Sequence, residues 1–162
     1  MLRTVCDFLN RWQEEKESTL RIFQNLTDDS LKKGIAKGRT IGRLANHIIE
    51  TLSEMPHQLG LPVEEDHTTY KDVANILSAY EKAADELASL INENWKDSTL
   101  DEETLMYGEP WKNGFSLWVL ILHQAHHRAQ MTVLMREAGL KVPGVYGPSR
   151  DEWEAMHMQP ME

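Results

Sequence analysis

The sequence predicts an all-α fold, an antiparallel four-helix bundle with a short C-terminal helix. Four long stretches repeat apolar residues at helical spacing, and no alternating stretch lasts long enough to compete as a sheet. The last stretch is apolar nearly all round in its first half, the pattern of a helix buried on several sides. A chain of 162 residues fits a single domain, expected to span 1–162, and is long enough to bury a real core.

The first stretch places Leu2, Val5, Leu9, Trp12, Lys16, Thr19, Phe23 and Leu26 at steps of three and four, giving the first helix. Thr27 to Lys33 reads as a short turn, and Gly34 and Gly38 break the pattern before Thr40 offers an N-cap. Ile41, Leu44, Ala45, Ile48, Leu52 and Met55 form the stripe of the second helix, with Pro56 as its expected end. After a loop marked by Gly60 and Pro62, Thr69 and Asp72 resemble a capping box. Val73, Ile76, Leu77, Tyr80, Ala84, Leu87 and Ile91 then carry a third helix to about Trp95. Asp97 to Trp111 reads as a polar connection across one end of the bundle. The fourth helix runs from about Asn113 to Ala138 with Gly139 as its C-cap, and Ser149-Arg150-Asp151-Glu152 opens a terminal helix that docks through Trp153.

Composition narrows the function classes. Apolar residues at 41% and charged residues at 27% fit a soluble folded protein rather than a disordered one. The net charge of −9 repels phosphate backbones, and no Lys/Arg stripe is present, so nucleic acid and anionic membrane surfaces are not the expected partners. Leu117 to Leu122 is far shorter than the roughly 18 apolar residues of a membrane span. The N-terminal residues carry acids where a signal peptide needs an apolar core, so the expected compartment is the cytoplasm. The single Cys6 allows no internal disulfide and is expected to pack as a small apolar side chain.

The chemistry concentrates in the fourth helix. His123 and His127 stand four residues apart, so both imidazoles project from one face of an apolar helix. Charging two buried imidazoles side by side is costly, which leaves two readings. Either the rings are neutral and hydrogen-bonded to backbone or neighbouring acids, or they share a cation. Two imidazoles seldom suffice for tight binding, and His47, the other histidine within a helix, is the candidate third ligand. It lies at the edge of its stripe, where a boundary residue is equally at home. His126 points elsewhere, His57 and His67 fall in a loop, and His157 lies in the tail. Arg128 pairs with an acid or holds an anionic substrate group. Gln130 falls close to the His123 direction, suited to steadying a ligand from behind. Met156, Met158 and Met161 read as gap-fillers or disorder.

The run Leu122-His123-Gln124-Ala125-His126-His127-Arg128-Ala129-Gln130, with Gly42-Arg43-Leu44-Ala45-Asn46-His47-Ile48 upstream and Gly139-Leu140-Lys141-Val142-Pro143 downstream, resembles the DinB-like metalloprotein superfamily. That group includes the YfiT-like and bacillithiol S-transferase proteins. The resemblance covers nearly the whole chain, with Ala129 standing where many members have glycine. It implies a four-helix bundle holding a divalent metal, zinc, nickel or iron, on His47, His123 and His127. It also implies a homodimer and a small-molecule substrate. Members of known activity join low-molecular-weight thiols to electrophiles or isomerise thiol adducts.

A three-histidine site leaves a coordination position for water or substrate, as catalytic sites do. The expected function is therefore a metal-dependent thiol S-transferase with a low-molecular-weight thiol as cosubstrate. The alternatives are a metal-dependent hydrolase, with Glu50 as base if it turns inward, and a non-catalytic bundle that stores metal or mediates an interaction.

Overall fold

Thr4 begins the first helix with a capping box, its hydroxyl accepting from Asp7 N–H while Asp7 accepts from the Thr4 N–H. In the structure, a computed structural model that describes residues 2–159, this helix, α1, spans Val5–Gln24. Hydrogen bonds from the Arg3 and Thr4 amides hold the Asp7 carboxyl below its ordinary range. A 3-10 turn at Ser30–Lys32 follows, and Thr40 caps α2 (Ile41–Gln58) as expected. Pro56 does not end α2. The missing N–H comes so late that Leu59 N–H still reaches the Met55 carbonyl and Leu61 N–H reaches that of Pro56. His57 consequently lies on the last turn of α2 rather than in a loop.

The third helix, α3 (Val73–Asn94), is capped by Asp72 and not by Thr69. Asp72 accepts from the Asn75 N–H at 2.9 Å, and Asp28 reaches across from the first connection to accept the Val73 N–H at 2.8 Å. Two carboxylates thus meet the positive end of one helix. The connection from Asp97 contains a 3-10 turn and a hairpin that the sequence pattern did not reveal. Strand β1 (Glu103–Met106) pairs antiparallel with β2 (Glu109–Lys112), and Tyr107 and Gly108 form the tip at φ 52 and 89. Both tip residues lie in the left-handed region, as a two-residue hairpin turn demands. Helix α4 (Asn113–Glu137) follows directly, with Gly139 at φ 71 beyond its C-terminus. Ser149 and Glu152 form the expected capping box of α5 (Arg150–Ala155).

Helix α1 packs against α3 and α4, and α2 packs against the same pair. The order around this four-helix bundle is therefore α1, α3, α2, α4, with α1 and α2 on a diagonal. Trp12 anchors the interior, stacked on Phe8 and donating its indole N–H to the Ala84 carbonyl at 2.9 Å. Phe23 meets Tyr80 edge to face across α1 and α3. Cys6 is exposed, not packed, because it lies off the apolar stripe of α1. Trp153 is only half-buried. Helix α5 is tied down instead by Asp151 and Glu152, which accept the Val142 and Gly144 amides. No helix of the described residues is long and apolar enough to cross a membrane.

One tight approach sets the position of α2. A Cβ added at Gly42 would lie 2.9 Å from the Leu31 carbonyl oxygen and 3.2 Å from its Cβ. Alanine raises helix propensity by up to about 1 kcal/mol, but crowding of this kind costs about 1–3 kcal/mol. Gly42→Ala is therefore expected to lower stability in urea unfolding, and a gain in stability would show that the 3-10 turn yields freely.

Candidate metal centre

Helix α2 supplies His47 and α4 supplies His123 and His127, so the centre lies where these two neighbouring helices pack. The three ring centroids are 4.3–4.9 Å apart and each pair of rings is close to perpendicular. One ligand nitrogen from each ring lies within 4.8 Å of the other two. The Nε2 atoms of His123 and His127 approach to 3.0 Å. Nitrogens about 2.0–2.1 Å from a shared tetrahedral ion are about 3.3 Å apart, so small side-chain shifts bring this set onto one cation.

The outward ring nitrogens show how the rings are aimed. His127 Nδ1 lies 2.8 Å from Gln130 Oε1 and His47 Nδ1 lies 3.4 Å from Glu50 Oε2. An acceptor at Nδ1 fixes the proton there and leaves the Nε2 lone pair facing the cluster, the arrangement usual behind metal-bound histidines. Glu50 is itself held by Arg43 at 3.1 Å. Partial burial pushes the Glu50 carboxyl up, but hydrogen bonds from Arg43 and His47 outweigh it and keep the group ionised below its ordinary range. His123 Nδ1 is buried with no partner.

All three imidazoles resist protonation. Burial lowers His123 to about 4, helped by repulsion from His127 and His47. Burial lowers His47 and His127 as well, against the hydrogen bonds their Nδ1–H groups donate to Glu50 and Gln130, which pull the other way. The centre thus presents uncharged nitrogens near neutral pH, the form a cation requires.

Two further residues, Gln124 and Arg128, hold the helices in register. Gln124, fully buried, donates to the Ile48 carbonyl at 3.2 Å and so ties the residue after His123 to the residue after His47. Arg128, 1% exposed, turns to α1, where it pairs with the 2% exposed Glu15. Arg128 also donates to Thr19 Oγ1 at 2.9 Å and to the Tyr146 hydroxyl at 2.7 Å, and Tyr146 bonds the same Glu15 carboxylate. The choice left open for Arg128 is resolved in favour of the acid. Nothing local marked Glu15, because the apolar spacing read from the sequence passes through its neighbour Lys16, and its role shows only in its distant partner.

Of the remaining histidines only His126 comes near the triad, its ring centroid 4.9 Å from that of His127. His126 is exposed and bonds Gln130 Nε2 at 3.0 Å, His57 and His67 face Glu65, and His157 follows α5 at φ 56. Met156 and Met158 are exposed, and Met161 lies outside the described residues.

The same arrangement of helices recurs in solved structures. A crystal structure of a DinB-like protein from Bacillus cereus ATCC 10987 superposes with a TM-score of 0.85 at 39% identity, covering 90% of this chain and all of that one. A DinB-like protein of Bacillus subtilis, YjoA, shares the fold at a TM-score of 0.69 and 14% identity, over 88% of this chain and 99% of that one. In sequence, the uncharacterized protein YrdA of Bacillus subtilis strain 168 is 38% identical over 157 residues, 94% of each chain. A model of the DinB family matches residues 1–161. With that match over nearly its whole length, this chain belongs to the DinB family.

Proposed function

We propose that His47, His123 and His127 hold one divalent metal ion, zinc, nickel or iron, and that the centre serves a thiol S-transferase acting on a small electrophile. The convergence of three uncharged imidazoles, two with their outward nitrogens already restrained, carries this reading. A divalent cation held by His47, His123 and His127 would keep its charge, these ligands being neutral, and would lower the pKa of a thiol that ordinarily titrates near about 8.5.

The protein's own groups prepare that centre. Gln130 and Glu50 keep the His127 and His47 lone pairs turned inward, so no imidazole must lose a proton before it serves as a ligand. Gln124 and Arg128 lock α4 against α2 and α1, which limits drift of the two ligands α4 carries. The thiol reading is favoured over the hydrolase because Glu50, the candidate base for water, is engaged by both Arg43 and His47 Nδ1.

Elemental analysis of purified protein is expected to find one metal ion per chain, absent from His123→Ala and His127→Ala although both keep their helical circular dichroism. Chelation is expected to abolish turnover of thiol with electrophile. Turnover that persists unchanged in metal-stripped protein or in His127→Ala sinks the mechanism. Stoichiometric metal without activity on thiol or ester substrates supports the non-catalytic bundle instead.

A further inference from the structure

Beside the triad, a cleft of about 540 Å³ opens between α4 and the loop of residues 34–40, with His127 in its wall. Its apolar surface comes from Ile35, Val133 and Leu134, and its charge from Lys37 and Arg39. No carboxylate lines it among the described residues. Nor does either cation form an ion pair there, although the chain carries a net charge of −9 and its other site-facing arginine, Arg43, is paired with Glu50. Arg39 and Lys37 line the same cleft as the triad's His127. A free cation at that place works against a bound metal ion unless an anion joins them.

The loop that presents these cations is closed and shaped. Gly34 bridges Thr40 at its base, Ile41 N–H reaches the Lys33 carbonyl at 2.8 Å, and Gly38 N–H reaches that of Ile35 at 2.9 Å. Lys37 sits at φ 62, a left-handed conformation that is strained for a residue with a Cβ. At Gly38 a Cβ would strike the Ile35 side chain at 2.6 Å, so glycine is what lets the turn fold against Ile35. The turn therefore holds Lys37 and Arg39 at the cleft despite local strain.

We infer that this cleft binds the reacting small molecule and selects one bearing a carboxylate, which Arg39 and Lys37 hold while its apolar part lies against Ile35 and Val133. The inference rests on the proposed metal centre and adds the chemical class of what that centre acts upon. The carboxylate belongs either to the thiol or to the electrophile, and matched probes separate the two.

Calorimetric titration of the protein as purified, with its metal content measured on the same sample, pits mercaptosuccinate against neutral 1-thioglycerol, and 4-methylbenzoate against 4-methylbenzamide. At least one anionic probe is expected to bind about tenfold more tightly than its neutral counterpart, the size of one hydrogen bond to a charged group. A preference in the first pair places the carboxylate on the thiol, and in the second pair on the electrophile. The preference is expected to shrink with salt and to vanish in Arg39→Gln with Lys37→Gln, which keep wild-type metal content. Equal binding of both members of both pairs, no binding of any probe, or a preference that survives the double substitution overturns the inference. Failure of the metal centre registers separately, as protein that lacks metal but still prefers the anionic probe.

Discussion

Glu15→Ala is expected to lower unfolding free energy by about 3–5 kcal/mol, because it leaves the guanidinium of Arg128 charged in the interior with no carboxylate. For a chain of this length that is a drop of roughly 10 °C in Tm. Thr19, Tyr146 and the Glu15 backbone carbonyl still accept or share hydrogen bonds with Arg128, but none offers a negative charge. Removing both partners is a different matter. Glu15→Leu combined with Arg128→Met is expected to cost much less than the two single changes summed, since apolar groups of similar size replace the pair. Urea and thermal unfolding of the four proteins read this directly. Additive costs in that cycle mean the two charges are not coupled.

Acid and chelation are expected to act on the same three rings. In the folded chain His123 titrates at about 4 instead of 6.5, and His47 and His127 are shifted the same way. Between those values the unfolded chain takes up protons that the folded chain refuses. Metal-free protein therefore loses stability as pH falls from about 6.5 toward about 4, with no further loss from these groups below that window. Above the window the rings are neutral in both states and contribute nothing. A metal bound to the folded chain alone adds about 4 kcal/mol at a thousandfold excess over Kd, so a chelator near neutral pH is expected to lower Tm by roughly 10 °C. That difference should disappear as protons displace the metal on the way to about pH 4. Thermal scans of loaded and stripped protein across this range, beside stripped His123→Ala, provide the check. Coincident curves for loaded and stripped protein near neutral pH contradict the metal centre, and an unchanged acid slope in His123→Ala contradicts the assignment to that ring.

The helices were legible because their stripes repeat within a few residues, as in Ile41, Leu44, Ile48 and Leu52, all buried. His123 and His127 were legible for the same reason, being one turn apart. What depends on distant partners was not. Asp28 caps α3 from another segment, and Glu15 meets Arg128 across the bundle, which no local period encodes. The hairpin escaped notice because each strand has four residues, Pro110 interrupts one, and Tyr107-Gly108 lacks the Asn or Asp that announces such a turn. Pro56 misled because a missing amide one turn from a helix end removes little. His47, at a stripe edge and 18% exposed in its side chain, becomes a member of the triad only once α2 lies against α4.

The Glu15 carboxylate meets Arg128 and Tyr146 across separations of 113 and 131 residues. During synthesis the chain therefore carries a solvated, unmatched anion in α1 while the 113 residues up to Arg128 are made. Only when the segment carrying Arg128 and Tyr146 emerges can that anion be withdrawn from water, so the earlier helices are expected to remain loosely associated until then.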